Sequence, residues 1–229
     1  MWTELKEAFT LIGALEDARA VVLDAAGKHF TVGLDLDDAE DVLINVRGDD
    51  ASRKAANLRK VIRDYQDTFT MIERIQIPVI SATHGACIGA GMDLITACDI
   101  RLASADAFFC VKEVDVGLAA DVGTLQRLPN VIGSDSLVRD LCYTARNMYA
   151  EEAKDCGLIS SFRETKEDAL AGAMEIAEII ASKSPVAVQG TKHNLLYSRD
   201  NTVENALKYI AMYNASVSLR KKKEEKGST

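Results

Sequence analysis

The stretch Ile77–Arg101 constrains the fold of this chain more than any other. Val79–Thr83 reads as an apolar strand, and Gly85, Gly89 and Gly91 follow it in a glycine-rich turn. A short helix through Gly91–Ala97 comes next, with strand-like runs at Ile100–Ala103 and Phe108–Val111. A strand that breaks into glycines before a helix lets backbone N–H groups converge on a ligand oxygen, and the start of a helix adds the positive end of its dipole.

The flanking sequence repeats the alternation of strand and helix. Leu5, Ala8, Phe9, Ile12 and Leu15 lie at helical spacing within residues 4–17, and Ala20–Leu23 is a short β-branched run ending in a turn at 26–28. Phe30–Asp35 reads as a strand that breaks at Gly33, and 36–52 is acidic and irregular. Residues 53–76 carry Leu58, Val61, Ile62, Tyr65, Phe69, Ile72 and Ile75 on one face, a long helix stopped by Pro78. Beyond residue 124 the pattern is largely helical. Ser134 can cap one helix, a short helix near 150–156 stops at Gly157, and Thr165 with Asp168 forms a capping box. Asn201 or Thr202 starts a last helix running towards Leu219. The fold class is therefore α/β with a helical C-terminal third, without a repeat of fixed period or a linker long enough to divide the chain.

Composition narrows the function classes. With 229 residues, 48% of them hydrophobic, and three prolines, the chain can bury one sizeable core or two small ones. No apolar run approaches the roughly 20 residues of a membrane span, and the N-terminus lacks a secretory or transit pattern. A net charge of −8 argues against nucleic acid as a partner, and the basic run Arg220–Lys223 reads as a solvated tail. The five cysteines match no metal-ligand spacing and suit a reduced compartment, so no metal site is expected.

Two features carry chemistry. The glycine turns at Gly33 and Gly85–Gly91 could together place two N–H groups on one oxygen, as an oxyanion hole requires. Asp93, Glu113 and Asp121 each sit among apolar neighbours, where an acid is either paired or held with a raised pKa. His84 reads as a structural residue before the turn, and Asp115 as a surface partner of Lys112.

The run from Ile77 to Arg101, with its Cys-Ile-Gly-Ala-Gly-Met-Asp centre, resembles the signature of the enoyl-CoA hydratase/isomerase (crotonase) superfamily. Within that superfamily, Phe108–Pro129 and Ser182–Gly190 are similar to the dienoyl-CoA isomerase branch, and the likeness covers nearly the whole chain. The resemblance implies a crotonase-type spiral of ββα units over 1–164 and a helical oligomerisation region over 165–229, assembled as a homotrimer or homohexamer. It implies an enzyme of unsaturated fatty acid β-oxidation that converts a 3,5-dienoyl-CoA to the 2,4-isomer. Coenzyme A is then part of the substrate, no separate cofactor is needed, and the compartment is peroxisomal or mitochondrial. Hydratases of the superfamily carry glutamate at the positions of Asp93 and Glu113 and glycine at that of Asp121. The shortened first acid and the added carboxylate favour proton shuttling over water addition.

By the same resemblance Glu113 and Asp121 straddle the acyl chain, with Asp121 favoured as the C2 base and Glu113 as the C6 acid, and Asp93 supports them. The N–H groups of Leu34 and Ala90 would hold the thioester oxygen, within the binding segments Gly33, Leu34, Asp35, Leu36, Asp37 and Ala90, Gly91. Ala90 replaces the glycine usual in the superfamily. Domains of this kind normally begin some tens of residues earlier, so a strand pair is expected to be missing before the first helix. The rival readings are an enoyl-CoA hydratase or monoene isomerase on the same scaffold, and a non-catalytic or RNA-associated relative.

Overall fold

The computed structural model describes residues 2–35 and 46–226, with side chains described as far as residue 216. Two sheets organise it. Strands β1 (Val21–Leu23), β2 (Val79–Thr83), β4 (Ile100–Ser104) and β7 (Ser161–Arg163) form a parallel sheet in the order β1-β2-β4-β7. Strands β3 (Ala86–Ile88), β5 (Phe108–Cys110) and β6 (Met148–Tyr149) form the second, with β3 parallel and β6 antiparallel to β5. Short links join β2 to β3 at Thr83–Ala86 and β4 to β5 at Ser104–Phe108, so the chain twice steps between the sheets within a few residues.

All five residues of β2 are buried, as expected of a strand covered on both faces. Ile80 and Ala82 point to one side, where Leu102 and Ala173 of α7 (Lys166–Ala181) close a small core. Val79 points to the other and joins the main core with Phe69, Ile72, Ile95, Phe109 and Leu128. The main core is closed by α1 (Trp2–Gly13), α2 (Ala51–Arg74), α3 (Ala90–Thr96), α4 (Thr124–Val131), α5 (Asp135–Thr144) and α6 (Ala150–Asp155). Helices α8 (Pro185–Arg199) and α9 (Val203–Lys226) form a hairpin at the C-terminus.

Local signals account for most helix ends. Asp50 caps α2 by accepting the Arg53 N–H at 2.8 Å, Ser134 accepts from Leu137, and Thr165 accepts from Asp168. Thr202 accepts the Asn205 N–H at 3.3 Å at the start of α9, which continues past Leu219 to Lys226. Three expectations need correction. Helix α1 ends at Gly13, because Ala14 and Leu15 donate to carbonyls only three residues back, which leaves Leu15 60% exposed. The expected strand Phe30–Asp35 is reduced to a single bridge, Thr31 to Cys87, before Gly33 turns the chain at φ +94°. Strands β6 and β7 lie inside the region read as largely helical; two or three residues are too few for a period to show.

One partly buried ion pair ties the C-terminal hairpin to the sheet. Lys192 of α8, 5% exposed, donates to Asp99 at 2.7 Å and to the Ile77 carbonyl at 3.0 Å, while Asp99 also accepts the Val79 N–H at 2.8 Å. Among the described residues no helix is long and apolar enough to cross a membrane.

The pair gives a test of this docking. Lys192→Met leaves Asp99 without its cation and is expected to lower unfolding stability by about 2–3 kcal/mol, at the lower end for broken buried pairs because Asp99 keeps some contact with water. Adding Asp99→Asn should restore part of the loss in urea denaturation. A Lys192→Met protein as stable as wild type would remove the pair from the account of how α8 is held.

Candidate active site

The site is assembled where the two glycine turns meet. Thr31 donates its N–H to the Ala86 carbonyl at 3.0 Å, and its own carbonyl accepts from Ile88 at 3.1 Å. Those bonds run the segment ending in Gly33–Leu34 alongside β3 and the turn that follows it. The approach is close: a Cβ placed on Gly89 would lie 4.0 Å from the Gly33 Cα and 3.5 Å from Glu113 Oε1. Gly91 has no room for a side chain, since a Cβ there would come within 2.5 Å of Thr31 Cγ2. Ala90, the first residue of α3, has an N–H with no acceptor inside its helix. Gly33, Leu34, Ala90, Gly91 and Glu113 therefore share one place in the fold. Asp35 is exposed at the end of the described segment, and Leu36 and Asp37 lie outside the described residues.

Glu113 opens a 3-10 turn, Glu113–Val116, two residues after the buried Val111 that follows β5. The turn closes on Gly117, and the Leu118 N–H returns to the Glu113 carbonyl at 3.0 Å. The carboxyl is half-buried, and its Oε2 has no hydrogen-bond partner among the described residues. Burial pushes its pKa up to about 7, and the charges of Asp93 and Asp121 push the same way. A carboxyl poised near neutrality can hold or release a proton at working pH.

Asp93 and Asp121 have different surroundings. Asp93, 1% exposed in the first turn of α3, accepts two bonds on one oxygen: the Thr124 N–H at 2.5 Å and the Thr124 hydroxyl at 2.8 Å. Burial still holds its pKa above the ordinary carboxylate value, against those two donors and the nearby Arg127. Its geometry is that of a helix cap supplied from another helix, since Gly123 at the N-cap of α4 has no side chain of its own to offer. Asp121 is exposed, three residues before Thr124, with a pKa raised by partial burial. His84 is bonded away from the site, its Nε2 to the Gly27 carbonyl at 2.9 Å, and Asp115 pairs with Lys112. Thr124, Gln66 and Arg127 border the acids and escaped the sequence reading. Their partners lie 31 residues or more away in sequence, so no local motif marks them. No group of three or more His, Cys, Asp or Glu among the described residues could hold a metal ion.

The family model described as enoyl-CoA hydratase/isomerase matches residues 1–229. A human protein named mitochondrial Delta(3,5)-Delta(2,4)-dienoyl-CoA isomerase is 56% identical over 216 residues, covering 94% of this chain and 66% of that protein. An Arabidopsis thaliana protein named as the peroxisomal form of the same isomerase is 45% identical, over 93% of this chain and 77% of that protein. A crystal structure of a putative enoyl-CoA hydratase from Thermobifida fusca in complex with acetoacetyl-CoA superposes with a TM-score of 0.80 at 30% identity, covering 96% of this chain and 85% of that one. This chain thus spans just under two thirds of the human relative's length.

The raised pKa of Glu113 has a consequence for stability. The unfolded carboxyl titrates near 4.5 and the folded one near 7, so between those values the folded protein binds the extra proton. Stability should therefore fall as pH rises from about 4.5 to about 7. Glu113→Gln should flatten this loss, with thermal melts showing a larger gain at pH 8 than at pH 5. Equal melting shifts at the two pH values would contradict the raised pKa.

Proposed function

Since the chain belongs to the enoyl-CoA hydratase/isomerase family, we propose that it acts on coenzyme A thioesters as an isomerase converting a 3,5-dienoyl-CoA to the 2,4-dienoyl-CoA. Two relatives named for this reaction, at 56% and 45% identity, support the substrate class, as does the acetoacetyl-CoA bound to a family structure. The observation that carries the reading is the pair of unlike carboxyls. Glu113 is held near pKa 7, while Asp121 is exposed on the neighbouring segment with a smaller burden of burial. Two acids with different environments suit a base and an acid working on one substrate.

In this mechanism the thioester oxygen rests on the N–H groups of Leu34 and Ala90. Asp121 removes a proton from C2, and the electron pair spreads over the conjugated chain onto the thioester oxygen as a trienolate. Protonated Glu113 then gives its proton to C6. The double bonds move from 3,5 to 2,4 with no net gain of atoms or electrons, so the reaction needs no separate cofactor. Asp93 supports the pair by fixing Thr124 and serves no proton transfer itself. Each proton-transfer group would contribute about 10²–10⁴-fold, and one oxyanion donor about 10²–10³-fold. The names of the relatives favour mitochondria or peroxisomes as the compartment. We further propose a spiral core over 1–164 and oligomer contacts from 165–229 in a trimer or hexamer.

Ultraviolet absorbance of the product diene tests the reading with purified chain and a 3,5-dienoyl-CoA. Asp121→Asn and Glu113→Gln should each lower turnover by at least about 10²-fold with the fold intact, and together by less than the product of the two. Asp93→Asn should be milder. Hydration of a 2-enoyl-CoA without diene isomerisation would replace this reading with that of a hydratase.

A further inference from the structure

The carboxyl of Asp121 is exposed, so side-chain packing does little to fix where it points. Its direction has to come from the main chain of residues 118–123, between the 3-10 turn and α4. That stretch is held at Asp121 and again just beyond it. Gln66 of α2 donates its Nε2–H to the Asp121 carbonyl at 2.6 Å. Two residues beyond Asp121, Gly123 adopts φ +144°, and a Cβ there would come within 1.9 Å of Arg127 Nη1. Arg127 is itself bonded to Thr70 and Glu73 of α2, each at 3.2 Å. Gln66, Thr70 and Glu73 follow helical spacing, so one polar face of α2 grips the Asp121 segment directly and through Arg127. Thr124 completes the hold, with its N–H and hydroxyl both on the buried Asp93.

We propose that Gln66 and Thr124 are positioning residues for Asp121, which set the direction of its carboxyl by fixing the main chain at Asp121 and just after it. The inference rests on the reading of Asp121 as a proton-transfer group. Neither residue touches the reacting atoms. Gln66 acts through a carbonyl, and Thr124 acts through the start of α4. A small error in the placement of a catalytic group is costly: a displacement of about 1 Å can lower a rate by about 10²-fold.

The test uses the full chain with Gln66→Met and Thr124→Val, which keep size and lose the donors, and with Thr124→Ser, which keeps the hydroxyl. Turnover of a 3,5-dienoyl-CoA should fall about tenfold in each of the first two with KM little changed, and Thr124→Ser should stay within about twofold of wild type. In an Asp121→Asn background both losses should shrink to less than about twofold, because the group being positioned is gone. The ¹³C resonance and pH titration of the Asp121 carboxyl, read without substrate, should move in Gln66→Met and Thr124→Val but not in Thr124→Ser. Losses of the same size in both backgrounds, or an unmoved Asp121 resonance, would overturn the proposal. A moved resonance in a protein that does not isomerise the diene would uphold the positioning while overturning the functional reading.

Discussion

Glu113 carries a carboxyl partly out of water, at a point where the charges that bear on it most after burial belong to two further acids. Such a group is unstable as an anion and becomes a proton holder near neutral pH. The rest of the fold must keep it there against the tendency to turn the side chain out to solvent. The 3-10 turn does so by closing the Leu118 N–H back onto the Glu113 carbonyl, while Val111 and Phe109 anchor the preceding strand in the core. The destabilisation is local, and the buried β2 and the two cores it separates offset it.

The same core fixes the distances between segments that are remote in sequence. The bonds of Thr31 set the Gly33 turn against the Gly89 turn, so two independent stretches of backbone meet beside one carboxyl. On the other side of the site α2 serves as a rail. Its apolar face is buried through Phe69 and Ile72, and its polar face holds Gln66, Thr70 and Glu73 towards the Asp121 segment and Arg127. Burial on one face and hydrogen bonding on the other give the helix little freedom to shift, which a site built from two proton-transfer groups requires.

The regions that sequence made legible are those where a local rule governs. β2 matched its apolar run, α2 its amphipathic stripe, and Thr165 its cap, because each depends on residues within a few positions of one another. The glycine at 91 was visible as a turn residue, but its reason is the methyl of Thr31, sixty positions away in the chain. Asp93 was visible as an acid among apolar residues; that its partner is Thr124 could come only from the packing of α3 on α4. Strands β6 and β7 escaped notice because their pairing, and not their composition, makes them strands. Thus the residue types of the site were readable, and the network that aims them was not.

The central claim is that two different carboxyls move protons at the two ends of a conjugated thioester. Its most direct test is the reaction run in D₂O with a 3,5-dienoyl-CoA, with the position of deuterium in the product read by NMR. A base at C2 and a separate acid at C6 predict one deuteron at C6 of the 2,4-dienoyl product, delivered from a group that exchanges with solvent. A product that keeps the original C2 proton at C6, or one that carries a hydroxyl at C3, would contradict the account.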